Sequence, residues 1–146
     1  MKRIIIIVII VFGIVAVQAQ MDNPLKQGMP NTVTLTSGEV VYDLAGEWEA
    51  VYENPSYGTR KDIVKIKQEG NKFVGYCVIG NEMARKGTET IKGELEKDGF
   101  KSVVRDYFDY RYLPSTGEIG AKCNKVVVKT RDETGAMALI LTLTRK

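Results

Sequence analysis

KDIVKIKQEGNKFVGYCVIG, residues Lys61 to Gly80, reads as two strands and the turn between them. Val64 and Ile66 alternate with Lys65 and Lys67, the period of two expected where one sheet face is buried and the other wet. Gly70-Asn71 turns the chain tightly from Lys61–Glu69 into Lys72–Gly80. Upstream, WEAVYE (Trp48–Glu53) is separated from this hairpin by the loop Asn54–Arg60. Downstream, the loop Asn81–Gly87 leads to TETIKGELE (Thr88–Glu96), and Lys97-Asp98-Gly99 turns into FKSVVRDYFDY (Phe100–Tyr110). A loop with Pro114 and Gly117 follows, then KVVVKT (Lys125–Thr130) and AMALILTLTRK (Ala136–Lys146). β-branched and aromatic residues fill these runs, and Gly, Asn, Asp and Pro punctuate them. No stretch sustains the i, i+3, i+4, i+7 spacing of an amphipathic helix. The expected fold is all-β, an antiparallel up-and-down meander closing into a β-barrel of about eight strands, which removes unpaired edges. A β-sandwich is the competing architecture.

The alternation defines an inner face. Trp48, Ala50, Tyr52, Val64, Ile66, Ile91, Gly93, Leu95, Leu139, Leu141 and Leu143 share it, while Glu47, Glu49 and Glu53 face water. Gly75 and Gly93 sit mid-strand, marking either a bend that lets the sheet curl or a close ligand approach.

The chain opens MKRIIIIVIIVFGIVAVQAQ. Lys2 and Arg3, the apolar run Ile4–Val17 and Val17-Gln18-Ala19 have the three-part build of a secretory signal peptide over residues 1–19. The run is short for a membrane span, so the expectation is export to the periplasm or outside, with no stable membrane anchor after cleavage. Residues 20–43 read as a flexible leader in which Thr32–Thr36 and Glu39–Leu44 are short strands or a lid across the domain's base; residues 44–146 form the barrel. Without Lys2 and Arg3 the formal charge falls from +3 to +1, and no clustered cationic face points to nucleic acid.

The chain has no histidine, which excludes Ser-His-Asp and Cys-His nucleophile pairs and removes the commonest transition-metal ligand. No phosphate-cradling glycine motif occurs, and no metal or cofactor is expected. Cys77 and Cys123 are the only cysteines. Export makes a disulfide plausible, but parity opposes it: Cys77 shares the face of Phe73 and Ile79, expected to be inner, whereas Cys123 shares that of Lys125 and Lys129, expected to be outer, so a bond would need a bulge near Asn124.

Gly46-Glu47-Trp48 at the start of the first long strand, with Arg145 near the end of the last, resembles the calycin superfamily of lipocalins, fatty-acid-binding proteins and avidins. VKIKQEGNKFVG is similar to the second hairpin of small bacterial barrels of this kind. The resemblance covers Leu44 to Lys146 and implies a lipocalin/avidin-like barrel whose base is closed by Arg145 packed across Trp48, a favourable cation–π arrangement. It implies no particular ligand.

RDYFDYRY, Arg105 to Tyr112, departs from the other strands because neither of its faces is purely apolar. With Tyr52 it supplies the candidate ligand rim: Tyr52, Arg105, Tyr107, Phe108, Tyr110, Arg111 and Tyr112. The bland alternative has the aromatics capping the core and the arginines pairing with Asp106 and Asp109. The leading expectation is therefore a non-enzymatic, exported lipocalin-like protein binding a small, largely apolar ligand inside the barrel. The second is a filled barrel acting as a structural or inhibitor-like protein-interaction module through the loops Asn54–Arg60 and Asn81–Gly87. An enzyme using Tyr, Arg and a carboxylate is the third. Large side chains meeting across the axis would separate the first two.

Overall fold

The computed structural model describes residues 31–80, 84–96, 99–105 and 111–146. Ten strands make up the described chain. A two-stranded hairpin, β1 (Thr32–Thr34) and β2 (Val40–Tyr42), precedes β3 (Gly46–Asn54), β4 (Gly58–Glu69), β5 (Lys72–Cys77), β6 (Glu89–Glu96), β7 (Gly99–Arg105), β8 (Tyr112–Ile119), β9 (Lys125–Arg131) and β10 (Met137–Arg145). Strands β3 to β10 form a closed antiparallel barrel in which sequential strands are neighbours and β10 returns to pair with β3. The register Leu141↔Tyr52, Leu143↔Ala50 and Arg145↔Trp48 seals that seam. Closure uses every strand edge, so the meander needs no second sheet.

The inner face follows the alternation of the sequence. Trp48, Val64, Ile91, Val104, Val126, Val128 and Leu141 each expose 0% of their surface. Phe73 and Phe100 meet edge to face with centroids 5.0 Å apart, filling the axis from β5 and β7. A hollow barrel would leave a water-sized void against its lining, and these side chains have none.

The glycines separate bend from ligand approach. A Cβ on Gly75 would stand 2.8 Å from methyl groups of both Ile91 and Val64. A Cβ on Gly93 would overlap the Lys101 carbonyl oxygen and lie 2.9 Å from Ser102 Cα and Cβ. Protein, not open space, occupies both sites, and at Gly93 the neighbouring backbone itself comes too close for any side chain.

One expectation needs correcting. The stretch with Pro114 and Gly117, read as a loop, is strand β8. Its inward residues are Leu113, Ser115 and Gly117, mostly small or polar, so the apolar alternation is weak. The missing bulk comes from across the sheet: Gly117 pairs with Phe100, and a Cβ there would overlap the Phe100 ring. Pro114 lies one residue outside the ladder to β9, which begins at Ser115, so its missing N–H costs no bond on that side.

Ser115 Oγ and Thr130 Oγ1 are 2.7 Å apart, and Ser115 also donates to the Leu113 carbonyl at 3.0 Å. Ser102 stands opposite Ser115 in register, but its buried Oγ has no protein hydrogen-bond partner among the described residues. A buried hydroxyl without a partner costs about 1–3 kcal/mol. Ser102→Ala is therefore expected to keep or raise stability, by about 1 kcal/mol in urea unfolding. A loss of similar size would mean the hydroxyl is satisfied after all.

The β1–β2 hairpin lies at the end of the barrel where β10 finishes. Val41, Tyr42 and Leu44 are buried in the same core as Trp48. Gln68 fastens this segment to β4: its Nε2 donates to the Tyr42 and Gly70 carbonyls at 2.9 Å, and its Oε1 accepts from Leu44 N at 2.7 Å.

Candidate functional site

Three places gather chemistry: the base, a buried acid–thiol pair, and the outer wall over β4 to β7.

At the base, Trp48 Nε1 donates to the Leu44 carbonyl at 2.8 Å. The Arg145 guanidinium lies over the indole, 4.4 Å from its centroid. It donates to the carbonyls of Cys123 and Ala45 at 3.0 Å and also to that of Asp43. One planar fork thus ties the lead-in, the β8–β9 turn and β10 together. Cys123 completes the site. It lies in the β8–β9 turn with φ of 50°, not on a strand, which is why strand parity misplaces it as outer when it is fully buried. Burial raises its thiol pKa, against the lowering effect of Arg145.

Cys77 ends β5 at the opposite end of the barrel. The disulfide left open by the sequence is not formed: both thiols are free and buried, each with its own neighbours. Cys77 donates to Asp62 Oδ2 at 2.7 Å. Asp62 Oδ1 accepts from Ile63 N at 2.6 Å and Ile79 N at 3.4 Å. The carboxylate is buried and pins the start of the β5–β6 connection to β4. Burial first, and then the hydrogen bond and charge of Asp62, push the Cys77 thiol up to about 12. A thiol held protonated is no nucleophile at neutral pH. Because the folded value is raised, this thiol contributes stability below the ordinary value of 9.0 and loses it as pH climbs towards about 12. Thiolate absorbance of native protein should thus appear only near the top of that range, and Asp62→Asn should move it to lower pH. An unchanged titration in the variant would remove Asp62 as the cause. Asp62 shares the parity of Val64 and Ile66 in the sequence; an acid at an inward position was the signal that would have found it.

The described candidate rim residues, Tyr52, Arg105, Arg111 and Tyr112, stand in different places. Tyr107, Phe108 and Tyr110 lie outside the described residues, as do Asp106 and Asp109. Tyr52 is buried in the core. Arg111 pairs with Glu133 at 3.2 Å across the β9–β10 connection. Arg105 and Tyr112 are register partners and share the outer wall with Glu89 and Lys92, two residues the sequence reading passed over. Tyr112 Oη donates to Glu89 Oε1 at 2.9 Å. Lys92 Nζ is 2.9 Å from the same oxygen and 4.6 Å from the Tyr112 ring centroid. Burial works against the Glu89 charge, but hydrogen bonds from Lys92 and Tyr112 and the positive charges of Lys92 and Arg105 hold its carboxyl below the usual range. Burial and the Glu89 bond raise Tyr112, and the Glu89 bond raises Lys92.

This cluster borders an open groove of about 1000 Å³ on the outer wall. Lys67, Val74, Tyr76, Lys92 and Val103 line its centre. Across the strands, Lys67, Val74, Lys92, Val103 and Pro114 stand in one register row, so cationic and apolar positions alternate. Lys67 Nζ sits 5.6 Å from the Tyr76 ring centroid. The only sequence trace of this surface is Tyr76, an aromatic at an outward position.

The molecule is thus an eight-stranded antiparallel closed β-barrel, an architecture consistent with a calycin-like fold. No protein-family model matches the chain, and no functionally described protein matches it in sequence.

Proposed function

We propose that this is an exported, lipocalin-like, filled barrel that works as a non-enzymatic protein-interaction module, not as a carrier of an apolar cargo. The observation that carries the reading is the interior: seven inward side chains from six strands at 0% exposure have no water-sized gap beside them, which supports a filled barrel among the described residues, while the groove lies on the outer wall. The partner is a protein segment that sets apolar side chains on Val74 and Val103 and meets the cations Lys67 and Lys92. The signal peptide over residues 1–19 supports export.

A photo-crosslinking residue placed at position 103, in the cell that makes the protein, tests this. The expected result is a discrete crosslinked protein that is absent when the same residue is placed at position 127, which is on β9, away from the groove. Native mass spectrometry of the purified protein is expected to give the bare chain. A reproducible small-molecule adduct that leaves on denaturation, without a groove-specific crosslink, would overturn the proposal in favour of a carrier.

A further inference from the structure

We draw no further inference here: the strongest candidate, the row of outward side chains Lys67, Val74, Lys92 and Val103 across the outer-wall groove, belongs to the site already described, and with four lysines and four glutamates among the described residues that line it nothing in the structure shows which partner covers it.

Discussion

Replacing Arg145 by methionine is expected to destabilise the protein by about 3 kcal/mol in urea unfolding, more than a surface arginine would. Methionine keeps most of the aliphatic stem but removes the three carbonyl bonds to Asp43, Ala45 and Cys123 and the stacking on Trp48. Hydrogen bonds from a charged donor are worth about 1.5–3 kcal/mol each, and the cation–π contact adds about 1. Arg145 is half-buried, so water recovers part of this, which brings the total down to the stated value. Arg145→Lys should recover less than half of the loss, because one ammonium cannot reach three carbonyls arranged for a fork. The same change should loosen the base, so amide exchange should quicken at Val41 and Leu44 before it does at Val128. A loss under about 1 kcal/mol would place Arg145 among ordinary surface cations.

Gly93→Ala should be still more damaging for a single added methyl. Overpacking a core with one methyl group costs about 1–3 kcal/mol when side chains can yield. Here the obstacle is the Lys101 carbonyl and the Ser102 backbone of the paired strand, which can move only by parting β6 from β7. The expected cost is above about 3 kcal/mol, with loss of cooperative unfolding or of soluble protein. Gly75→Ala is the internal comparison. Its added methyl meets side-chain methyls of Ile91 and Val64, which can rotate away, so a cost of about 1–3 kcal/mol is expected. If the two alanine variants unfolded alike, backbone crowding at Gly93 would not be what sets the curvature.

Most of the barrel was legible because burial in a sheet imposes a period of two. Along Trp48–Tyr52, Val64–Ile66 and Leu139–Leu143 parity gave the right face, but Ile79, read as inner with Phe73 and Cys77, lies past the end of β5 and is 64% exposed. Parity also failed where the buried volume was borrowed. β8 shows small inward residues because the Phe100 ring from β7 fills the space above Gly117, and no local pattern records that. It failed again at Cys123, because a turn with positive φ breaks the phase that parity depends on. The candidate site was less legible still. Arg105 and Tyr112 stood out by composition, yet their partners Glu89 and Lys92 come from another strand, and register alone brings them together.

By itself, the sequence determined the strand-by-strand alternation and the all-β meander of about eight strands, since these follow from local period and composition; the Trp48–Arg145 pairing was implied by the calycin resemblance of Gly46-Glu47-Trp48 and Arg145. Only the tertiary structure decided that the interior is filled, that both thiols are held apart at opposite ends, and that the groove lies on the outer wall. Whether a barrel is hollow depends on volumes contributed across the axis by strands far apart in the chain. That sum is fixed by closure, which β10 completes against β3.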